Sequence, residues 1–296
     1  MATIARSHFD PQRQVSVAIV HWQNNEHTPR TDELVTEEPL EIRLCGRDER
    51  GTERAETVAV IMRTPGHDDE LATGFLLTEG LIASGSELAD LRAGLDDDGM
   101  PSGNIVEIRP APGVDLAQRV KEQGYTRKFA VNASCGICGK NTVAAACSVF
   151  SRLPESGFSV TPDALYTLPD RLREEQRVFS YTGGLHAAGL FDHTGTLLAL
   201  REDIGRHNAV DKLIGRAVLD AALPLNRAML LVSGRLSFEI VLKAFAARIP
   251  LIAAVSAPSS LALDLAEAAG ITIVAFLRGS TMNVYTHPAR IQPINA

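Results

Sequence analysis

Two of the four cysteines in this 296-residue chain stand close together, in Asn132-Ala133-Ser134-Cys135-Gly136-Ile137-Cys138-Gly139-Lys140. Gly136 and Gly139 lack a Cβ, so the backbone there can turn tightly or be approached by a partner. The apolar run Thr142-Val143-Ala144-Ala145-Ala146 reads as a helix, which places both thiols where a loop feeds a helix start. A helix N-terminus and the ammonium of Lys140 both favour thiolate over thiol. Lowering a cysteine pKa from about 8.5 to about 7 raises the thiolate fraction near pH 7.5 from roughly 10% to roughly 75%. The pattern is that of a reactive cysteine loop.

The spacing alone leaves three chemistries open. A pair two residues apart is half of a structural zinc site, but no second pair exists, and any zinc would have to recruit histidines such as His186 or His207. A thioredoxin-like dithiol normally follows a strand at the start of a βαβ unit, whereas this pair follows a long mixed segment. The third is sulfur carriage, in which one thiolate accepts sulfane sulfur and the second stabilises or discharges it by exchange. Cys147, on an apolar helical stretch, reads as a small buried hydrophobe, and Cys45 is isolated.

A second group of residues suits an anion. From about Ala228 to Leu277 the chain alternates strand, helix, strand, helix, strand, with near-continuous apolar strands that imply parallel pairing covered on both faces. Ligands bind beyond the carboxyl ends of such strands. Those ends read Ser233-Gly234-Arg235-Leu236-Ser237, Ser256-Ala257-Pro258-Ser259-Ser260 and Leu277-Arg278-Gly279-Ser280-Thr281. Arg235 and Arg278 can contact phosphate bidentately, and Ser237 and Ser259 are candidate helix N-caps. Asp203-Ile204-Gly205-Arg206-His207-Asn208 and Thr182-Gly183-Gly184-Leu185-His186 add a Gly-Arg turn and a Gly-Gly beside a histidine. His186 either starts a strand or reaches the ligand, and His207 either caps a helix or does the same. No Walker loop or dinucleotide fingerprint is present, so a large phosphorylated cofactor fits better than ATP hydrolysis.

The elements that must position these groups fall into two parts. Val15 to Trp22, Leu40 to Leu44, Thr57 to Met62 and Asn104 to Arg109 read as strands, and Asp68-Asp69-Glu70 opens an amphipathic helix through Leu81. Asp96-Asp97-Asp98-Gly99 is a solvated turn. Thr161-Pro162-Asp163 starts a helix. Strands His186 to Asp192 and Thr196 to Asp203 follow, then helix Arg206 to Leu219, strand Ala228 to Val232, helix Ser237 to Arg248, strand Pro250 to Val255, helix Ser259 to Ala269 and strand Ile271 to Leu277. Asp211 and Lys212 read as a solvated helix pair, and Trp22 as packing. The fold class is α/β with an α+β N-terminal part over residues 1–134 and a C-terminal α/β domain over 135–296, the cysteine loop lying at the join.

Bulk properties narrow the setting. Hydrophobic residues make up 45% and charged residues 22%, ordinary for a soluble globular chain. The net charge of −7 argues against nucleic acid as partner. Four cysteines are too few for a disulfide scaffold at this length, and no signal peptide or membrane-spanning run is visible, so a cytoplasmic protein with no membrane partner is expected.

Taken together the motifs resemble the FdhD family, the formate dehydrogenase accessory sulfurtransferases. The resemblance rests on Asp68-Asp69-Glu70-Leu71-Ala72-Thr73-Gly74-Phe75, on Ser134 to Gly139, on Thr182 to His186, on Glu202 to Lys212, on Ser233-Gly234-Arg235 and on Val284-Tyr285-Thr286-His287-Pro288, in this order over most of the chain. It implies a sulfur carrier that takes sulfur from a cysteine desulfurase and passes it to molybdenum in a bis(molybdopterin guanine dinucleotide) cofactor, bound as substrate, before insertion into apo-formate dehydrogenase. By the same resemblance Cys135 bears the persulfide, Cys138 assists, and Phe276, Leu277, Arg278, Gly279, Ser280 and Thr281 contact the cofactor, joining Gly234, Arg235, His186 and His207. No permanent metal is expected, and a homodimer is conceivable. The resemblance also implies a cytidine deaminase-like, three-layer C-terminal domain. A zinc deaminase needs His-x-Glu and Pro-Cys-x-x-Cys at successive helix starts. Arg206-His207-Asn208 and Ser233 to Ser237 stand at the corresponding places, with no catalytic glutamate and no cysteine pair. A pterin chaperone that moves no sulfur and a zinc-binding module are the remaining alternatives.

Overall fold

A computed structural model describes residues 13–47, 53–122, 142–155 and 157–292. The chain opens with a ribbon of two antiparallel strands, β1 (Gln14–Gln23) and β2 (Glu26–Val35), turned by Asn24 and Asn25 at φ of 49° and 69°. Asparagine tolerates this left-handed backbone better than other residues with a Cβ, and a two-residue turn of this hand matches the strand twist. β1 was legible as a strand. β2 was not, because Glu26-His27-Thr28-Pro29-Arg30-Thr31-Asp32-Glu33 has no apolar alternation.

A four-stranded sheet follows in the order β4-β3-β6-β5, built from β3 (Glu38–Arg47), β4 (Glu53–Arg63), β5 (Leu88–Leu95) and β6 (Pro101–Pro110). Between β4 and β5 runs α1 (Asp68–Thr78), with Asp68, Asp69 and Glu70 in its first turn, where the helix dipole favours acids. The sequence reads α1 as amphipathic, yet every residue from Leu71 to Thr78 is buried, because the helix is covered on more than one side. α2 (Leu116–Glu122) closes this part, and α3 (Val143–Val149), capped by Thr142, opens the next. Cys147 on α3 is exposed, correcting the expectation of a buried small hydrophobe: the helix packs on its neighbour through a different face, which includes buried Ala146.

The second sheet has six strands in the order β12-β11-β10-β9-β7-β8. It comprises β7 (His186–Phe191), β8 (Leu197–Asp203), β9 (Met229–Val232), β10 (Leu251–Ala254), β11 (Thr272–Arg278) and β12 (Thr281–Val284). β9, β10 and β11 are parallel, while β7 runs antiparallel to β9. α4 (Pro162–Glu175) and the short α5 (Arg177–Thr182) precede the sheet, and α6 (Arg206–Leu219), α7 (Phe238–Ala246) and α8 (Ser260–Ala269) lie between its strands. Side chains alternate across it: Met229, Leu231, Leu251 and Ala253 join Leu165, Leu168 and Leu172 of α4, whereas Leu230, Val232, Ile252 and Ala254 join the core with α6, α7 and α8. That layering on both faces is the reason the strands read as continuous apolar runs.

One apolar cluster continues from Leu40, Ile61 and Phe75 of the first part through Leu213 to Leu230 and Ile273 of the second, so the two sheets share a core. The seam is the crossing of α1 and α6. A Cβ at Gly74 would lie 1.9 Å from the Asp211 carbonyl oxygen, and one at Gly215 would lie 1.8 Å from that of Glu70. Only glycine admits backbones this close.

The seam also buries charge. Lys243 Nζ donates to Asp211 Oδ2 at 2.8 Å and to Thr78 Oγ1 at 3.0 Å, and Thr78 Oγ1 donates to Asp211 Oδ1 at 2.9 Å. Lys212 Nζ lies 2.7 Å from Asp203 Oδ2 and donates to the Thr64 carbonyl at 2.8 Å. Asp203 accepts in addition from the N–H groups of Thr64 and Gly205 and from Asn208 Nδ2, which also reaches the Met62 carbonyl. Burial pushes the Asp211 carboxyl up, against the pull of Lys243, and pushes the Lys212 ammonium down, against the pull of Asp203. Asp211 and Lys212 are therefore interior cross-braces, not the solvated pair the sequence suggests.

Two more expectations change. Trp22 is 64% exposed, its ring 4.9 Å from that of His27 on the ribbon, so it does not pack in the core. The closing Val284-Tyr285-Thr286-His287-Pro288 is a strap: Thr286 Oγ1 donates to the Ile271 carbonyl and accepts from Ile273 N–H, and Thr272 Oγ1 donates to the His287 carbonyl. No helix among the described residues is long and apolar enough to cross a membrane.

Candidate functional site

β7 is antiparallel to β9, so its first residue, His186, arrives beside the carboxyl end of β9. Ser233 ties the two together: its N–H donates to the Ala187 carbonyl at 3.0 Å and its hydroxyl accepts from Ala187 N–H at 2.9 Å. A Cβ at Gly234 would stand 3.3 Å from His186 Nδ1 and 3.7 Å from Arg206 Cδ, so the imidazole and the arginine stem flank this glycine. Leu236 N–H donates to the Ala257 carbonyl, Ser259 N–H to that of Leu236, and Phe276 N–H to that of Ser256. The exits of β9, β10 and β11 thus form one continuous rim.

Arg206, at the first position of α6, brings a guanidinium whose Nε is buried without a hydrogen-bond partner among the described residues. An orphaned cationic donor beside a helix N-terminus is a place for an anion. Burial, with the nearby charges of Arg206 and Arg235 and against Asp203, pushes the His186 imidazole below its ordinary pKa and so favours its neutral form. His207 Nε2 is 3.3 Å from Ser237 Oγ and 3.9 Å from Glu239 Oε2. Burial would raise the Glu239 carboxyl, but hydrogen bonds from Ser237 and its own N–H, with the charges of His207 and Arg206, hold it low. Ser237 accordingly makes no side-chain cap on α7, correcting that expectation; its hydroxyl is occupied by the His207–Glu239 contact. Ser259 does cap α8, accepting from Ala262 N–H at 3.2 Å.

Along the segment Phe276 to Thr281, a bulge between Ala275 and Arg278 breaks the alternation of β11. Phe276 adopts φ 54° and is exposed, a conformation uncommon for a bulky residue and frequent at functional sites. Arg278, Gly279, Ser280 and Thr281 are exposed at the hairpin tip, with Thr281 Oγ1 donating to the Arg278 carbonyl at 3.0 Å. Leu277 is the exception: it is fully buried in the core under α4, so it offers no side chain to a ligand.

Beside the rim opens a cleft of about 550 Å³ bounded by Arg173, Gln176, Phe179, Gly183, His186 and Ser233. Arg173 lies 4.4 Å above the Phe179 ring, and Gln176 is 95% removed from solvent. The sequence did not single out these α4 and α5 residues, since they occupy a short polar stretch with no motif. A cavity of about 630 Å³ against Cys45, Thr57, Val114 and Lys121 is larger, but burial and Glu107 push the Cys45 thiol up and leave it a poor nucleophile. Cys135 and Cys138 lie outside the described residues. Among those described, no group of three or more His, Cys, Asp or Glu could hold a metal.

With a rim of arginine, serine and glycine in place, the relatives are informative. The family model described as the FdhD/NarQ family matches residues 35–292. The chain belongs to the FdhD/NarQ family. It is 49% identical over 278 residues to a protein of Streptomyces coelicolor named sulfur carrier protein FdhD, covering 92% of this chain and 94% of that one. It is 42% identical over 275 residues to the protein of that name from Sulfurisphaera tokodaii, covering 93% and 98%. A crystal structure from Desulfotalea psychrophila, of a protein assigned as a formate dehydrogenase accessory protein, superposes with a TM-score of 0.72 at 23% identity over 94% of this chain and 99% of that one, a likeness of fold. In this chain Glu202 to Lys212 serves two purposes: Arg206 and His207 face the rim, and Asp203, Asn208, Asp211 and Lys212 face the seam.

Proposed function

We propose that this FdhD/NarQ protein is a cytoplasmic sulfur carrier for formate dehydrogenase, acting as a persulfide sulfurtransferase. The Cys135 thiolate attacks the terminal sulfur of a cysteine desulfurase persulfide; the donor's S–S bond breaks and the donor cysteine leaves as a thiolate. Discharge follows when the Cys138 thiol attacks the Cys135 sulfur, forming a disulfide between them as the terminal sulfur departs as sulfide to the acceptor. A cellular dithiol then restores both thiols.

The acceptor in this reading is the molybdenum of a bis(molybdopterin guanine dinucleotide), bound as substrate at the carboxyl rim and inserted afterwards into the apoenzyme. The observation that carries it is the orphaned Arg206 Nε beside Gly234 and His186, with Arg235 on the same loop. Phosphates occupy such a cradle, and Gly234 leaves room for them to approach the backbone. The bulged Phe276 and the Arg278-Gly279-Ser280 tip supply further contacts. The order strand, strand, helix, strand, helix, strand, helix, strand from β7 to β11 supports a cytidine deaminase-like reading of this domain. The starts of α6 and α7 carry His207 and Ser237 where a deaminase needs zinc ligands and a glutamate, so deamination does not follow.

Intact-mass spectrometry after incubation with a desulfurase and cysteine tests the proposal. The wild-type chain should gain about one sulfur mass on the peptide containing Cys135, and Cys135→Ala should gain none there while remaining folded. Guanine nucleotide binding without any mass gain would instead make the protein a cofactor chaperone.

A further inference from the structure

Between the β3–β4 hairpin and α2 the molecule is hollow. Leu44 and Val58 of the hairpin and Leu116 and Val120 of α2 are buried, yet together they line the cavity of about 630 Å³. A second lobe of about 480 Å³ adjoins it, sharing the walls at Cys45, Gly46, Pro110, Gly113 and Val114. The space stays open because small residues face it. A Cβ at Gly46, paired with Arg54 across the hairpin, or at Gly113, in the loop after β6, would meet nothing within 4 Å. Protein interiors leave few voids larger than a water molecule, and a hollow of this size has the dimensions of a small-molecule site. Its walls are fixed in advance. Arg119 clamps α2 by donating to the Leu81 carbonyl at 2.8 Å and to both Glu87 oxygens at 2.9 and 3.0 Å. The loop is pinned by Ala111 N–H, which donates to the Glu87 carbonyl at 2.8 Å, and stiffened by Pro110 and Pro112.

The border of the hollow carries mainly positive charge. Arg54 and Lys121 line the first lobe and Arg109 the second, against Glu56 and Asp115. Asp115 is already engaged, its Oδ1 accepting from Gln118 N–H at 2.8 Å. On a chain of net charge −7, an apolar space bordered chiefly by cations selects an anion with an apolar body. We infer that this cavity is a second ligand site for a small amphipathic organic anion. An aliphatic or aromatic body lies against Leu44, Val58 and Val120, and a carboxylate or sulfonate meets Lys121 and Arg54 at the border. The site shares no lining residue with the cleft beside the rim. It also excludes what the rim suits, because an apolar wall would strand the hydrogen-bonding groups of a nucleotide base.

Fluorescence titration of the full chain with 8-anilinonaphthalene-1-sulfonate tests this, with decanoate and GDP as competitors. The dye should bind saturably and brighten, decanoate should displace it, and GDP should not. Gly46→Trp places a ring in the open space without a backbone clash, so it should weaken dye and decanoate binding by about tenfold or more at an unchanged unfolding midpoint. Lys121→Gln, at an exposed position, should weaken both by about threefold to tenfold, the loss of one charged contact. Arg206→Gln should bind the dye as the wild type does. Absence of saturable binding at sub-millimolar dye, displacement by GDP, or affinity that Gly46→Trp leaves unchanged would overturn the inference. Should Gly46→Trp unfold, unchanged affinity in Lys121→Gln overturns it instead.

Discussion

The α1–α6 seam and the carboxyl rim are made from the same short stretch of chain and treat charge in opposite ways. At the seam every charged group is buried and answered: Lys243 by Asp211 and Thr78, Lys212 by Asp203 and the Thr64 carbonyl. At the rim, one turn of helix away, Arg206 keeps a buried donor unanswered and Arg235 lies exposed. An answered buried charge belongs to the fold, while the unanswered donor of Arg206 is the group on which the proposed anion site rests. Adjacent residues in one motif thus serve different ends, and breaking them should give different phenotypes.

The largest effect is expected from Gly215→Ala. Its Cβ would sit inside the Glu70 carbonyl, forcing α1 and α6 apart and costing several kcal/mol, enough to lose the soluble fold. Soluble yield and thermal unfolding measure it; a wild-type melt would mean that the helices do not cross this closely. Asp211→Ala comes next. It strands the Lys243 ammonium in the interior, a loss of about 3–5 kcal/mol. Adding Lys243→Met should recover most of that in denaturant titrations, whereas additive losses would show that the two do not act as a pair.

The rim variants should do the reverse. Arg206→Gln should weaken guanine nucleotide binding by about tenfold or more, the loss of a charged hydrogen bond, while shifting the unfolding midpoint little. Arg278→Ala, at the exposed hairpin tip, should weaken it less. Calorimetry with unchanged affinity in both would remove the anion site, and a collapse of stability in Arg206→Gln would assign that residue to the seam.

The smallest effect is one of pH. Burial would raise the Glu70 carboxyl, but Arg201, bonded to both its oxygens at 2.5 Å, and His67 hold it at about 2, against 4.5 for an ordinary glutamate. A carboxyl lowered in the folded state contributes stability above the unfolded pKa and loses it as the pH falls from about 4.5 towards 2. Arg201→Gln should therefore be less stable than wild type at neutral pH, with the gap closing across that interval. A gap that stays constant down to pH 2 would show that Arg201 acts through packing alone.

Much of the fold was legible because its signals are local. Helix α6 spans Arg206–Leu219, the range its pattern indicates, and the parallel strands announce themselves by unbroken apolar runs. Strand β2 was hidden because its residues are mostly polar and exposed, and β5 because Leu88, Leu91 and Leu95 recur at a helix-like spacing and do not alternate. The rim residues were legible for a related reason: glycine, serine and arginine after an apolar strand mark a loop whatever surrounds it. Asp211 and Lys212 were misread, since two adjacent charges on a helix ordinarily face water. Their burial required another helix to arrive from more than 130 residues earlier in the chain, as the Thr78–Asp211 bond shows.

Most of the secondary structure, the two-residue spacing of Cys135 and Cys138 and the glycine, serine and arginine of the strand ends were thus written into the chain itself, because backbone preference and side-chain chemistry are properties of neighbours in sequence. Which charged groups find partners inside the fold and which are left without one was decided only in three dimensions. A guanidinium or ammonium is the same group in either role, and the role depends on whether a carboxylate or carbonyl from a distant segment comes to meet it.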